Sequence, residues 1–427
     1  MEKVLFFFTA SYPYGNEETF IENEIQYLSK AFEQVYIITS KSDTNVSREV
    51  PSNVTVIQRS TEIFGWQKLS SFKYLFYPTI QKELFLYLIK NKQLLIGTRL
   101  NYLIKSFAKG VIISTFIKEI IDKNTNEGQK IFLYSYWWLD ESIGISIFKK
   151  TTTKSVVAIS RAHGYDIYSF RQANNYLPLK NFTLTYLDKL FTISSNGAKY
   201  LTNNPTITKN NLSKIEVSRL GTNKPLSLND RNPEKTNDNT HLIVSCSSIN
   251  PNKRVGLIAE TLVAISNNYK VKWVHIGDFS HWVSEEFKNE VNAIFEKANK
   301  CNNLTFKQLP VLKNKDVITF YQTNPVKLFI NLSESEGIPV SIMEAMSCRI
   351  PVIATDAGGT REIVSSKNGL LLGNNPTLQE ITNGISNKLK LTVNELEIYR
   401  TGAFETWDSN YNASKNYGNF VNKITSI

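Results

Sequence analysis

The chain contains 427 residues, 41% of them hydrophobic, with a net charge of +11, and this length predicts two or more domains with their own cores. Its widely spaced cysteines, Cys246, Cys301 and Cys348, argue against a disulfide framework and predict a reducing compartment. No stretch approaches the ~18 uninterrupted apolar residues of a spanning helix, and no signal peptide is evident, so a cytoplasmic location is expected.

The first half of the chain alternates strand and helix patterns. An apolar run predicts a buried strand at Val4–Thr9, a turn cluster follows, and a helix is predicted from about Thr19 to Phe32 before a strand at Gln34–Thr39. This βαβ opening favours a parallel sheet. The further strands predicted in this half are Ile131–Ser135, Ser155–Ile159, Lys189–Ile193 and Ile215–Arg219.

Residues 61–130 are the most basic part of the chain, with eleven Lys/Arg against five Asp/Glu. Their helical period fits amphipathic helices that pack on the first sheet, and it also fits a face that lies on a membrane. Nucleic-acid binding is not expected, because no recognisable nucleic-acid motif accompanies the charge. The positive charge is a better match for an anionic membrane surface or a phosphorylated acceptor. The protein is then expected to bind peripherally at the inner face of the membrane.

A polar stretch at residues 223–240 predicts a linker between two domains, residues 1–222 and 241–403. A second alternating series follows it, with predicted strands at Leu242–Cys246, Val271–Ile276, Leu304–Gln308, Val326–Asn331 and Pro351–Ala354. Two such series imply two doubly wound α/β domains. A last helix is predicted over residues 404–427.

The segment from Leu328 to Val364 carries the strongest functional signal. It reads as strand, acidic loop, helix, strand, Gly-Gly turn and helix, with Glu336 in the loop and Glu344 eight positions later on the helix. Open α/β sheets bind ligands at the carboxyl ends of their strands, and a helix N-terminus offers free N–H groups to an anion. Each acid could equally be an ordinary surface residue.

Lys253 and Arg254 form a second candidate site. They follow the predicted strand Leu242–Cys246 and stand just before a helix, where cations and the helix dipole would both favour a diphosphate. A solvated pair of cations at a helix start is the alternative, although such a pair opposes the dipole.

The segment 328–364, with its E-x7-E spacing and its PVIAT and AGG elements, resembles glycosyltransferase family 4 of bacterial polysaccharide biosynthesis. The resemblance implies the GT-B fold, two Rossmann-like domains facing a cleft, and transfer of a sugar from a nucleotide diphosphate with retention. The segment 404–427 would pack back on the first domain. The donor base is expected to be uridine rather than guanosine, and the acceptor a saccharide or lipid-linked saccharide.

The same resemblance assigns residues of the second domain to the donor. Glu344 would bind the ribose, Glu336 would lie near the donor sugar, and Lys253 would contact the diphosphate. Many members carry an Arg where this chain has Ser248, and Arg254 would supply the missing charge. The other donor contacts expected on this domain are Gly337, Ile338, Pro339 and Gly277.

In the first domain the string Ser160–Asp166 resembles the family's HG-x-D loop, which implies that His163 contacts the donor sugar. Arg161 and Asp166 are then expected at the acceptor. The loop after the first strand contains Gly15 and Asn16 and leads into a Glu-Thr-Phe-Ile string. This arrangement is similar to a variant found in some bacterial polysaccharide transferases. Many members have a Gly pair there, so this backbone cradle for the donor is expected to be less open.

No metal or other cofactor is expected, because the chain has no D-x-D sequence and no cluster with ligand spacing. Lys253, Arg254 and helix dipoles would then stabilise the leaving diphosphate. A glycosidase could also use two carboxylates, but it needs no diphosphate cradle. A nucleotide-sugar epimerase, a glycosyl phosphorylase and a catalytically silent partner of an active transferase remain open alternatives.

Overall fold

The computed structural model describes residues 2–15, 18–40, 48–59, 71–92, 95–172, 174–225 and 239–427. The chain divides into two compact units, of which unit 1 comprises Met1–Arg219 with Asn416–Ile427 and unit 2 comprises Leu220–Lys415. The division falls shortly before the expected domain end at residue 222. Most of the expected linker, residues 226–238, lies outside the described residues.

The described part of unit 1 contains a seven-stranded sheet in which all neighbouring strands are parallel, in the order β3-β2-β1-β4-β5-β6-β7. Its strands are β1 Lys3–Thr9, β2 Gln34–Thr39, β3 Val54–Gln58, β4 Lys130–Ser135, β5 Val156–Ala162, β6 Lys189–Thr192 and β7 Ile215–Val217.

Helices cover both faces of this sheet, which explains the long apolar runs in its central strands. In β1, Leu5 and Phe7 belong to one buried cluster, whereas Val4, Phe6 and Phe8 belong to another. Alternate side chains of a strand point to opposite faces, so a strand covered on both sides reads as a continuous apolar run. Short 3-10 turns occur at Ser71–Phe76 and Ser169–Arg171.

The α-helices of unit 1 are numbered here in chain order, and the last of them begins at the end of unit 2. They are α1 Ile21–Ala31, α2 Pro78–Asn91, α3 Gly97–Asn124, α4 Asp140–Thr151, α5 Lys180–Tyr186, α6 Ser195–Thr202, α7 Lys209–Leu212 and α14 Ala413–Thr425. Among the described helices, only α3 is long and apolar enough to cross a membrane, and 44% of its most apolar window is buried. It packs closely against α4.

Unit 2 contains a six-stranded sheet, again parallel throughout, in the order β10-β9-β8-β11-β12-β13. Its strands are β8 His241–Cys246, β9 Val271–Ile276, β10 Leu304–Leu309, β11 Val326–Asn331, β12 Val352–Thr355 and β13 Gly369–Leu372. Its helices are α8 Val255–Ile265, α9 Glu285–Asn299, α10 Asn314–Thr323, α11 Val340–Ser347, α12 Leu378–Leu389 and α13 Val393–Asn410.

Two doubly wound parallel sheets confirm the predicted fold class. The strand order reverses between β1 and β4 in unit 1 and between β8 and β11 in unit 2. Such a reversal opens a crevice at the carboxyl ends of the two central strands, which is where ligands bind in open α/β sheets. In unit 2 the loops that reach this crevice are residues 247–254 and 332–339.

Three details of the predicted elements were wrong. The strands β3 and β13 were not predicted, and the helix expected after the Gly-Gly turn is a short 3-10 turn at Gly358–Glu362. The segment 404–427 is not one helix, because α13 ends at Asn410 and α14 begins at Ala413. Within unit 1, Phe420 of α14 belongs to the buried cluster that also contains Phe191.

Candidate functional site

The two loops at the unit 2 crevice are joined by a short ladder of polar contacts. Asn252 accepts a hydrogen bond from the Glu334 N–H at 2.8 Å, and its side chain donates to the Ser335 carbonyl at 3.1 Å. One residue further on, Lys253 Nζ lies 2.5 Å from Glu336 Oε1. The structure therefore brings together Lys253 and Glu336, which the sequence assigned to the same ligand from separate motifs.

This ion pair is partly accessible, with 23% of the Lys253 side chain exposed and 11% of the Glu336 side chain exposed. Lys253 is the last residue of a 3-10 turn at Pro251–Lys253, and Glu336 lies four positions before the first residue of α11. A half-buried cation attracts an anion more strongly than a solvated one, because the effective dielectric constant is lower. Lys253 is thus suited to a phosphate group that enters this crevice.

Two glycines fix the backbone of the loop that carries Glu336. A Cβ placed on Gly358 would stand 1.9 Å from the Glu336 carbonyl oxygen, and one on Gly359 would stand 2.1 Å from the Gly337 carbonyl oxygen. Gly358 also has φ +55°, and the Gly359 N–H donates to the Gly337 carbonyl at 3.1 Å. The Gly-Gly turn therefore supports the loop that carries Glu336.

We expect Gly359→Ala to displace this loop and to lower both stability and activity. The new methyl group meets backbone, which cannot move aside cheaply, so the cost in unfolding free energy should be about 1–3 kcal/mol. Urea denaturation and turnover would measure the two effects. Gly373→Ala is the matched control, because nothing lies within 4 Å of its Cβ position. Equal behaviour of the two variants would contradict the supporting role.

Glu344 lies on α11, and its Oε1 accepts a hydrogen bond from Asn314 Nδ2 at 2.5 Å. Burial raises the pKa of Glu344 to about 7, and the Asn314 contact only partly opposes this effect. A half-buried carboxylate that accepts one side-chain hydrogen bond among the described residues has acceptor capacity left for hydroxyl groups. Asn314 was missed by sequence reasoning, since it stands at the start of α10 with no motif around it.

The start of α11 has the features expected of an anion site. Pro339 is its N-cap residue and forms no side-chain capping hydrogen bond, so no capping side chain occupies the N–H groups of the first turn. The Ile338 side chain is buried and would meet a Cβ on Gly359. Gly337, Ile338 and Pro339 were expected to contact the donor. Because its side chain is buried, Ile338 can contribute only its backbone.

The loop after β8 packs against the loop after β9. Gly277 has φ +138°, and a Cβ there would stand 2.1 Å from the Ser247 carbonyl oxygen, so the two loops approach at backbone distance. Ser248 Oγ accepts a hydrogen bond from Asn250 Nδ2 at 3.1 Å. Gly277 thus shapes the loop that leads to Lys253.

Buried polar atoms without a partner among the described residues occur in both loops of the crevice. They are Asn250 Oδ1 in the first loop and Ser333 Oγ in the second. Unpaired buried polar atoms are uncommon in native structures and are often found where a ligand or water completes them. Neither residue was singled out from the sequence.

Arg254 has a different environment from its neighbour Lys253. Its guanidinium donates to the Asn374 carbonyl and to Asn375 Oδ1, both at 2.7 Å, and lies 3.8 Å from a Glu334 oxygen. Its backbone is left-handed, with φ +49°. The side chain ties the start of α8 to residues 374–375, and its predicted contact with the diphosphate stays a prediction.

In unit 1, Asp166 organises the loop that contains His163. Its two oxygens accept hydrogen bonds from the backbone N–H groups of His163, at 2.6 Å, and Trp138, at 2.8 Å. Burial would raise the pKa of Asp166, but His163, Lys180 and these bonds outweigh it, and the pKa is lowered. Asp166 has no exposed surface. Its expected contact with the acceptor is therefore corrected to a role in holding the loop.

His163 lies in an aromatic environment within unit 1. Its ring centroid is 4.4 Å from that of Trp137, 4.7 Å from that of Tyr136 and 6.1 Å from that of Phe20. The side chain is almost wholly buried. The aromatic neighbours and the Asp166 contact hold the ring in one place, and its expected contact with the donor sugar stays a prediction.

Arg161 was also expected at the acceptor, and the structure corrects this assignment. Its side chain has no exposed surface and donates to Tyr134 Oη, at 2.8 Å, and to the Ser218 carbonyl, at 2.8 Å. It also pairs with Glu24 at 3.1 Å and lies over the Phe420 ring. Arg161 is thus an internal tie of unit 1 that joins its last helix to the sheet.

Arg161→Met should therefore act on stability. Removing one partner of a buried ion pair leaves the other charge uncompensated, at a cost of about 3–5 kcal/mol of unfolding free energy. Chemical denaturation would measure this loss. The variant that still folds should keep the wild-type KM for acceptor, and a raised acceptor KM without a stability loss would restore the original assignment.

The loop after β1 is organised by Glu18, whose importance the sequence did not reveal. Its carboxylate accepts hydrogen bonds from the N–H groups of Ser11 and Tyr12, both at 2.7 Å, and from Trp137 Nε1 at 2.5 Å. Gly15, with φ +68°, accepts a hydrogen bond from Arg48. The predicted donor contact Asn16 lies outside the described residues.

Among the described residues, no group of three or more His, Cys, Asp or Glu side chains is arranged to hold a metal ion. The three cysteines are free thiols. Burial raises the pKa of Cys246, at the end of β8, to about 12, which leaves this thiol neutral and inert at ordinary pH.

Comparison with known proteins finds a family match within the second unit. Residues 227–401 match the family model described as "Glycosyl transferases group 1". The chain is 30% identical over 113 residues to the O-antigen biosynthesis glycosyltransferase WbnH of Escherichia coli, a match that covers 26% of this chain and 29% of that protein. The chain therefore spans less than a third of the length of this relative.

A longer match covers 71% of the chain and 73% of an uncharacterised glycosyltransferase of Methanocaldococcus jannaschii, at 26% identity. Among solved structures, a glycosyltransferase from Rickettsia africae ESF-5 aligns with a TM-score of 0.71 and 16% identity. That alignment covers 100% of this chain and 98% of the other. The structural likeness confirms the predicted GT-B fold.

Proposed function

We propose that this chain is a retaining, metal-independent glycosyltransferase of family 4 type. It takes a sugar from a nucleotide diphosphate bound on unit 2 and transfers it to a saccharide or lipid-linked saccharide in cell-surface polysaccharide synthesis. The observation that carries the proposal is the contact of Lys253 with Glu336 across the two loops of the crevice. Both residues lie within the segment that matches group 1 glycosyl transferases.

The chemistry requires one bond exchange at the anomeric carbon. The bond from this carbon to the diphosphate oxygen breaks, and the acceptor hydroxyl forms a new bond on the same face. The hydroxyl proton passes to the departing phosphate oxygen, so no protein nucleophile is needed. Lys253 and the N–H groups at the start of α11 stabilise the charge that develops on the diphosphate.

Two carboxylates position the donor in this proposal. Glu344 accepts hydrogen bonds from the ribose hydroxyls, for which its pair of acceptor oxygens is suited. Glu336 lies beside Lys253 and faces the donor sugar. The half-buried setting of all three side chains limits water near the reacting carbon, which favours transfer over hydrolysis of the donor.

The acceptor and the cellular setting are proposed from a relative and from the sequence. WbnH is described as acting in O-antigen biosynthesis and is similar to part of this chain, and the Glu18–Ile21 string resembles that of some polysaccharide transferases. These observations favour a cytoplasmic reaction on a lipid-linked saccharide. The donor base is proposed to be uridine.

Calorimetric titration with UDP-, GDP-, ADP- and dTDP-sugars in the presence of EDTA tests the donor site. We expect one saturable binder that is lost in Glu344→Ala and kept in Glu334→Ala, whose side chain is largely exposed. Binding that appears only after a divalent metal is added would contradict metal independence. Absence of any binder, with or without metal, would contradict the donor site.

Product analysis then separates transfer from its alternatives. The bound nucleotide sugar is incubated with and without a saccharide acceptor, and the anomeric configuration of the product is read by NMR. Retained configuration in a new glycoside supports the proposal. A changed nucleotide sugar without acceptor indicates an epimerase instead, and an inverted product contradicts the retaining mechanism.

A further inference from the structure

Exposed large apolar side chains concentrate in one short stretch of unit 1. Fifteen such side chains occur among the described residues of the chain, and six of them are Phe76, Tyr77, Phe85, Leu88, Ile89 and Ile96. Phe76 is 83% exposed and Phe85 is 66% exposed. Scattered exposed hydrophobic residues are ordinary, but a contiguous cluster marks a surface that something covers.

The helix α2 presents its apolar side chains outwards. Phe85, Leu88 and Ile89 follow the i, i+3, i+4 spacing of one helix face, and this face is exposed. The opposite face buries Ile80 and the carboxylic acid Glu83. A helix that faced only water would carry charged and polar residues on its outer side.

Basic residues surround this face. Residues 71–118 contain eight Lys/Arg and a single acid, Glu83. Glu83 is buried, and its carboxylate accepts hydrogen bonds from Tyr176 Oη and the Leu179 N–H, so it does not offset the charge outside. Lys73, Lys82 and Lys90 are exposed. Apolar side chains flanked by lysines match the interface of an anionic membrane.

A pocket opens beside the same face. It has a volume of about 320 Å³, and its lining combines apolar side chains of α2 and α5, among them Phe85, Leu86, Phe182 and Tyr186, with polar ones that include Glu83. Lys82 and Lys150 also line it. Phe85 belongs both to the exposed face and to the pocket wall, so the two features form one continuous surface with cations beside an apolar space.

We propose that the outer face of α2 and this pocket form a docking surface for an anionic phospholipid bilayer. Phe85, Leu88 and Ile89 enter the acyl boundary, the lysines contact the headgroups, and the pocket receives part of one lipid chain. A bilayer is favoured over a second copy of this chain, because two copies would bring the same uncompensated lysines together. The inference concerns unit 1 and does not depend on the proposed sugar transfer.

Flotation with large unilamellar vesicles tests the surface. We expect the protein to float with vesicles of phosphatidylcholine and phosphatidylglycerol, much less with phosphatidylcholine alone, and less at high salt. Phe85→Ser with Ile89→Ser should weaken binding by roughly tenfold or more. Trp282→Ser with Ile398→Ser is the matched control, since both residues are exposed apolar residues of unit 2.

Lys82→Gln with Lys90→Gln separates charge from apolar insertion. This variant should lose roughly tenfold or more in binding and most of the salt dependence. Circular dichroism and thermal melting establish that each variant is folded. Failure of the wild type to float, or equal loss in the control, overturns the proposal. Light scattering without vesicles provides a further test. A dimer that dissociates in the Phe85→Ser, Ile89→Ser variant would also overturn the proposal, because the face would then be an interface between copies.

Discussion

Lys253→Met is expected to lower kcat/KM for sugar transfer by roughly 10²- to 10³-fold, since a preorganised charge at the leaving group is lost. The effect should fall mainly on kcat, because negative charge on the diphosphate grows as the anomeric bond breaks. Lys253 holds this place through the ladder at Asn252 and its 2.5 Å contact with Glu336. Steady-state kinetics with the donor identified by titration would measure the loss.

Glu336 provides a way to separate this catalytic effect from a structural one. In Lys253→Met the Glu336 carboxylate, with 11% of its side chain exposed, loses its cation. The unfolding free energy should then fall by about 1–3 kcal/mol. Adding Glu336→Gln should restore much of the stability, because both charges are gone, without restoring turnover. Recovery of turnover in the double variant would show that Lys253 acts only by pairing Glu336.

Two controls define the site around Lys253. Lys272→Met removes an equal charge from an exposed position on β9 and should leave kinetics unchanged. Arg254→Met removes the ties to Asn374 and Asn375, so its main effect should be on stability. A loss of kcat in Arg254→Met as large as that in Lys253→Met would place both cations at the diphosphate.

The central strands of both units could be predicted because they are covered on two faces. Such strands carry an apolar run, as Leu328–Ile330 does within Val326–Asn331, and the predicted bounds of this strand agree with the structure. The missed strands β3 and β13 are both edge strands. Their side chains are mostly half-buried, so Val54–Gln58 carries no continuous apolar run. Half-buried strands give a weaker apolar pattern than central ones, although the other two edge strands, β7 and β10, were predicted.

Site residues could be predicted where their position just after a strand is enough to place them at the crevice. Lys253 follows β8 and Glu336 follows β11, and adjacent parallel strands bring their ends to the same edge. Arg161 was misassigned because its partners Glu24 and Ser218 are distant in sequence. No residue near the Ser160–Asp166 string indicates that Glu24 and Ser218 would enclose the Arg161 side chain. Long-range partners decide whether a charged residue is internal, and one sequence does not reveal them.

Glu344→Gln is expected to weaken nucleotide binding by roughly 10- to 100-fold, as hydrogen bonds from hydroxyls to a carboxylate are lost. In the wild type the affinity should rise from pH 6 to pH 8, because burial raises the pKa of Glu344 to about 7 and the carboxylate is the better acceptor. Titration calorimetry at several pH values would measure both effects. The pH dependence should be absent in the Gln variant.

The same substitution should stabilise the free protein. A gain in stability together with a loss of nucleotide affinity would identify Glu344 as a binding residue. The raised pKa means that the folded state holds its proton more tightly than the unfolded chain, whose value is 4.5. The stability from this difference is fully present below pH 4.5 and is lost as the pH rises through about 7.

A neutral Gln avoids this loss, so Glu344→Gln should gain on the order of 3 kcal/mol at pH 8 and little at pH 4. Thermal melts across this pH range would measure the gain, with Glu334→Gln as the exposed control. A carboxylate at the same site that was kept for packing alone would give the same gain in stability but no change in nucleotide affinity. A gain in stability with loss of binding shows that the chain maintains an unfavourable charge at this position because the ligand requires it.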